Sequence, residues 1–208
     1  MSEESDDDLE RFQYSATIIP ELHPYLIALG TLASRWALFE FNINDAIWEL
    51  ANVGRMAGTC ITSQLIGPGP RFRCLVALLN LRGTPDNLLG QMNSISAEAE
   101  KLGRQRNRYL HDPLVHHRVK KTIHRMETTA DRKLKHDFIA VEITDITVLG
   151  ENIDALRGGF IDLMDVIVEK TPAWPRTEYA RSEGIRPHHS RSETPPSEPE
   201  LPLEPSET

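Results

Sequence analysis

The sequence holds only two cysteines, Cys60 and Cys74, and both fall in helix-like segments rather than at the spacings of a disulfide scaffold or a zinc site. This excludes a small disulfide-held fold and fits reduced, partly buried thiols. Long apolar runs are missing too. Stretches such as Leu75 to Leu79 fall far short of the roughly 20 residues that span a bilayer, so no membrane partner is expected. The opening MSEESDDDLE is acidic and has neither the basic nor the apolar region of a secretory signal, and the expected location is cytoplasmic. The phosphate-cradling GxxxxGK[ST], the zinc-binding HExxH and the nucleophilic GxSxG are all absent. Aromatic residues are sparse in the basic region, where Tyr109 stands alone between 101 and 135, so a base-stacking platform for single strands is excluded there.

The net charge of -8 conceals a strong asymmetry. Residues 1 to 17 carry six acids and one base, and residues 171 to 208 carry seven acids and four bases, which leaves the stretch from 18 to 170 neutral. Within that stretch, residues 101 to 135 hold eleven Lys or Arg against Asp112, Glu127 and Asp131, a local +8. Clustered cations of this kind release counterions from a phosphate-rich partner, and they also occur on an ordinary solvated face. Five histidines (111, 116, 117, 124 and 136) share the region. His116 and His117 are adjacent and would point to opposite faces of a strand, so neither a metal nor any other cofactor is expected.

At 208 residues the chain is long enough for one core. Residues 1 to 17 are polar and acidic and read as disordered, residues 18 to 170 as one domain, and residues 171 to 208, rich in Pro, Glu and Ser, as a second disordered tail. Three stripes with alternating steps of four and three define the domain: Tyr25, Leu29, Leu32, Trp36, Phe39, Ile43, Ala46, Leu50; Leu88, Met92, Ile95, Ala99, Leu102, Arg106, Tyr109; and Leu149, Ile153, Leu156, Phe160, Leu163, Ile167. Each is one face of an amphipathic helix. Shorter helices are expected near 54 to 66 and 71 to 82, with GPGP at 67 to 70 as a breaker between them. Thr84 reads as the N-cap of the middle long helix with Pro85 at its first position, and Thr144 or Asp145 as the cap of the last. Between them, Val115, Val119 and Ile123, then Ile139, Val141 and Ile143 after the polar TTADRK, alternate as a β-hairpin does; part of this segment also fits a helix. The fold class is therefore all-α, a bundle of four to five helices with a β-hairpin insertion.

Chemistry concentrates in RNRYLHDP, residues 106 to 113. Arg106 occupies a seam position, where a guanidinium that stays protonated needs a partner. Asn107 and His111 lie four apart on one face. Asp112 precedes Pro113, so the helix should end at about His111, where the helix dipole favours positive charge. Read from these residues alone, Arg106 pairs with Glu98, Glu100 or a neighbouring helix while His111 caps carbonyls. Glu40, four residues after Trp36, reads equally as an acidic partner of Arg106 and as a carboxylate in solvent.

Arg106, the polar Asn107, three spacers and His111 resemble the Arg-x4-His signature of the HEPN superfamily, the higher eukaryotes and prokaryotes nucleotide-binding domains. The resemblance in pattern spans roughly residues 20 to 170. It implies metal-independent RNA cleavage at a site composed by two protomers, and it also implies that some members have lost catalysis. On that footing Arg106, Asn107 and His111 are the expected catalytic residues, with Glu40 and Tyr109 in support; Glu40 resembles an acidic residue that some relatives carry on their first long helix. Arg104, Arg108, Arg118, Lys120, Lys121 and Arg125 are the expected RNA-binding cations. The expected partners are RNA, a second copy of the chain and, by analogy with toxin and defence systems, an antitoxin-like protein. The alternative is a non-catalytic helical module of the same fold, in which Arg106 and His111 form a structural network.

Overall fold

The computed structural model describes residues 12–13, 19–131 and 133–171, with the side chains at 12, 13, 129–131 and 133–135 left out. The expected disorder of residues 1 to 17 and 171 to 208 falls almost entirely outside them. Among the described residues five α-helices form: α1 (His23–Ala51), α2 (Arg55–Thr62), α3 (Pro68–Leu81), α4 (Asp86–His111) and α5 (Ile143–Lys170). Four strands accompany them: β1 (Phe12–Gln13), β2 (Leu114–His117), β3 (Thr122–Asp131) and β4 (Lys133–Ala140). A mostly helical bundle with a small antiparallel sheet inserted after α4 is the fold class that the stripes predict.

The main packing runs α1 on α5 and α3, and α4 on α3 and α5, so the four close a ring, with α1 also touching α4 across it. Its centre is aromatic. The Phe39 ring lies 5.9 Å from Trp36, 6.2 Å from Phe72 and 5.9 Å from Phe160, mostly edge to face. Leu32, Ile43, Leu50, Leu75, Leu79, Met92, Ile153 and Ile167 complete the buried interior, each worth about 1.5–3 kcal/mol of burial. The α1 helix stops at Asn52, in the left-handed region at φ 54, a conformation Asn tolerates better than most residues. Arg82 donates to the Leu50 carbonyl at 2.6 and 3.1 Å, so a cation caps this helix end. Trp48 Nε1 donates to Thr62 Oγ1 at 3.1 Å and holds α2 against the end of α1.

Three local expectations need correction. GPGP is not simply a breaker: Gly67, at φ 80, makes the turn, and Pro68 to Pro70 form the first turn of α3, where a missing N–H costs nothing. Thr84 does not cap α4, whose N-cap is Pro85; its hydroxyl is buried against Thr171 Oγ1 at 3.0 Å and ties the start of α4 to the end of α5. The α5 cap is Glu142, which leaves Thr144 and Asp145 inside the first turn.

The insertion supplies β2, β3 and β4 of an antiparallel sheet in the order β1-β2-β3-β4, whose first strand lies before α1 in the chain. The β3–β4 hairpin pairs His124 with Ala140 through to Asp131 with Lys133, so strand runs through most of TTADRK. The alternation read as one strand from 114 onward divides at residues 118–121, and Val119 stands 78% exposed in that turn rather than on a strand. Lys121 turns the chain at φ 56, and its N–H donates to the His117 carbonyl at 2.8 Å. Phe12–Gln13, within the stretch read as a disordered N-terminus, pairs with His117 and His116.

Candidate active site

The α4 helix ends where proline requires. Its last residue is His111, Asp112 adopts ψ 129, and β2 begins at Leu114. The sequence here serves two faces, because Arg106 continues the buried stripe while Asn107 and His111 lie on the outer side. Arg106 is half-buried with its guanidinium 5.7 Å from the centre of the Trp36 ring, a cation–π arrangement. Its Nη1 donates to Asn107 Oδ1 at 2.8 Å, and its enclosed Nε has no hydrogen-bond partner among the described residues. Burial pulls this guanidinium down from its ordinary value, and the Glu40 carboxylate works in the opposite direction.

Glu40 itself is bonded elsewhere. Its Oε1 accepts from Arg71 Nη1 at 2.7 Å, so it acts on Arg106 through its field rather than as a direct partner. Glu98 is likewise engaged, with Lys101 at 3.0 Å. What holds the motif helix against α1 is shape: a Cβ at Gly103 would stand 3.0 Å from Cη2 of Trp36 and 3.4 Å from Cγ of Pro68. The missing side chain lets Trp36 lie under the motif.

On the outer side Asn107 and His111, both exposed, line a shallow cavity of about 330 Å³ with Arg104, Arg108 and Asp112. Arg106 does not line it and reaches it only through Asn107. Here the His111 imidazole, the Asn107 amide and the Arg104 guanidinium face the same small volume, beside Arg108 and Asp112, which are paired with each other at 3.8 Å. That set suits a phosphate diester: a cation for its oxygens, an amide to orient it, and an imidazole that can take or give a proton.

The expected RNA-binding cations divide into two groups. Arg108 and Arg125 are spent within the chain: Arg125 bonds Asp112 at 2.8 Å and Glu127 at 3.0 Å, while Arg108 reaches Glu127 at 3.2 Å and Asp112 at 3.8 Å. Two acids and two bases close a ring where α4 meets β3. Arg125 also lies 5.8 Å from the centre of the Tyr109 ring. Burial raises the Tyr109 hydroxyl above its usual value, Asp145 adds to the rise, and Arg125 opposes it. Arg104, Arg118, Lys120 and Lys121 are exposed and hold no ion pair among the described residues.

This ring and the Trp36 platform were missed in the sequence, although signals for the ring exist. Arg108 and Asp112 are four apart on a helix, and Arg125 and Glu127 are two apart on one face of a strand. Of the other histidines, His116 and His117 are buried, and His117 Nδ1 accepts the N–H groups of Val119 and Lys120 at 3.3 and 3.2 Å. The His117 and His124 rings are 5.9 Å apart. Among the described residues no group of three His, Cys, Asp or Glu could hold a metal ion, and no helix is long and apolar enough to cross a membrane.

Protein-family models, curated proteins and solved structures give no match. The residues carry the functional argument alone.

Proposed function

We propose that this chain is a metal-independent endoribonuclease of HEPN type. The observation that carries the reading is the end of α4, where Asn107 and His111 share a cavity and Asn107 is hydrogen-bonded to the half-buried Arg106. In this reading His111 takes the proton from a ribose 2′-hydroxyl, or gives one to the departing 5′-oxygen. Arg106 holds the Asn107 Oδ1, which turns the Asn107 amide N–H to position the phosphate and to stabilise charge developing on its oxygens. The attacking 2′-oxygen forms a bond to phosphorus as the 5′-oxygen leaves, so the products carry a 2′,3′-cyclic phosphate and a 5′-hydroxyl. One chain offers one such histidine. An acid and a base are both supplied if two copies meet across a two-fold axis, and a homodimer belongs to the proposal.

The test is incubation of the protein with total RNA in EDTA, wild type beside His111→Ala. Cleavage should persist in EDTA and fall about 10²-fold or more in the variant. His111→Ala cleaving like wild type would sink the assignment.

The second reading, a non-catalytic module of the same fold, is favoured by one observation. Arg106 rests on Trp36 and leans on Asn107 as a structural arginine would. RNA left uncut under every condition would select it.

A further inference from the structure

A second, larger cavity of about 640 Å³ opens beside the motif, between α4, β3 and the first turns of α5. Its size is that of a small-ligand pocket. Buried Leu149 and the half-buried Tyr109 ring give it an apolar side, and Gln105, Asp145 and Asn152 bring hydrogen-bonding groups to its rim. Among the described residues these three side chains hold no hydrogen bond or ion pair, although Asp145 is near enough to Tyr109 to act on its hydroxyl. Arg108 lines this cavity and also the one that holds Asn107 and His111. The two are therefore neighbours across a single side chain, and a polymer lying over Arg108 would have one group in each.

We propose that this cavity is a guanine-binding subsite, seating one base of the RNA beside the phosphate held at Asn107 and His111. It rests on the ribonuclease reading for its polymer and deepens it by naming the base. A carboxylate accepts two hydrogen bonds side by side, and guanine is the only RNA base that offers two adjacent donors, N1–H and the N2 amino group, on its Watson–Crick edge. Adenine and cytosine each present one amino group beside an acceptor, and uracil presents one N–H between two carbonyls, so each of them sets a lone pair against Asp145. The Gln105 and Asn152 amides supply donors for O6 and N7, as such groups do in other base contacts. Unstacked bases of single strands are read along this edge.

The experiment is calorimetric titration of the full chain with the 5′-monophosphates of guanosine, adenosine, cytidine and uridine, for wild type, Asp145→Asn, Asn152→Ala and His111→Ala. The guanosine nucleotide should bind about tenfold tighter than the other three, as one well-made bidentate contact allows. Asp145→Asn, an isosteric change at an exposed position, should abolish that preference, Asn152→Ala should weaken binding, and His111→Ala should keep the preference. Equal binding of all four, binding of none, or an Asp145→Asn protein that still prefers guanosine overturns the subsite. The two proposals fail separately. A chain that cuts no RNA yet prefers guanosine through Asp145 loses the nuclease and keeps the pocket, whereas one that cuts RNA with no base preference loses the pocket alone.

Discussion

The helical bundle and the sheet inserted after His111 are built from different materials. Between the helices the space is filled by Phe39, Phe72, Phe160 and their aliphatic neighbours, none more than 2% exposed at the aromatic centre. The base of the sheet is fastened instead by the ring of Arg108, Asp112, Arg125 and Glu127, by the Met126 N–H donating to the Pro113 carbonyl at 2.9 Å, and by Tyr25 Oη donating to the Val141 carbonyl at 3.2 Å. Apolar filling is insensitive to charge and pH, while a polar seam is not. The two regions should therefore fail under different conditions.

The largest effect is expected in the bundle. Phe39→Ala removes a ring that touches three others and should cost about 3–5 kcal/mol in urea unfolding, with little dependence on salt. A loss under 1 kcal/mol would mean the aromatic centre is not what holds the helices. Next comes the seam. Asp112→Asn strips a charge from two arginines and leaves Arg125, only 16% exposed, with one acid; about 2 kcal/mol is expected. Glu98→Gln, which breaks the exposed pair to Lys101, should cost less than about 0.5 kcal/mol. Equal losses in these two variants would erase the distinction between the seam and an ordinary surface.

These contrasts also mark what was legible in the sequence. The three stripes were, because a step alternating between four and three has one structural solution; Tyr25 to Leu50 became α1, and Leu149 to Ile167 lies within α5. The helix stop at His111 followed from Pro113. The division of the insertion at residues 118–121 was not legible, since Val119 keeps the parity of Val115 and Ile123 while its turn is set by Lys121 and by His117 accepting backbone N–H groups. The count of eleven cations also misled in part, because a residue type does not say whether its charge is already matched. For Arg108 and Arg125 it is.

Acid should separate the regions more gently. Burial lowers His124 below the ordinary histidine value, with the nearby His117 and Lys120 adding to the drop and a backbone hydrogen bond at Thr122 opposing it. The folded state thus resists protonation that the unfolded chain accepts. Its contribution is present in full above the ordinary histidine value and is lost as the pH falls from there through the depressed one. Protection factors of the β2 and β3 amides, taken against the intrinsic exchange rate at each pH, should fall over that window before those of the bundle, and His124→Gln should flatten the dependence. An equal fall in both regions would contradict it.

The smallest effect on stability, and the most useful for function, belongs to the tip of the sheet. Replacing Arg118, Lys120 and Lys121 with Gln should change unfolding by less than about 0.5 kcal/mol. If RNA is the partner, the same variant should reduce the slope of log affinity against log salt by about 2, as expected for three lost contacts to a single strand. A similar loss of slope from Arg125→Gln would show that the ring, rather than the tip, carries the contact.

The notch at Gly103 gives the motif an alignment set from upstream. Trp36 fits beneath α4 because position 103 ends at its α-carbon, and Arg106 rests on that same indole. One absent methyl group thus acts as a spacer gauge: fill it with alanine, and the indole must slide by a few tenths of an ångström, carrying the guanidinium with it. The aim of the arginine is tuned three residues before the arginine itself, by an atom that is not there.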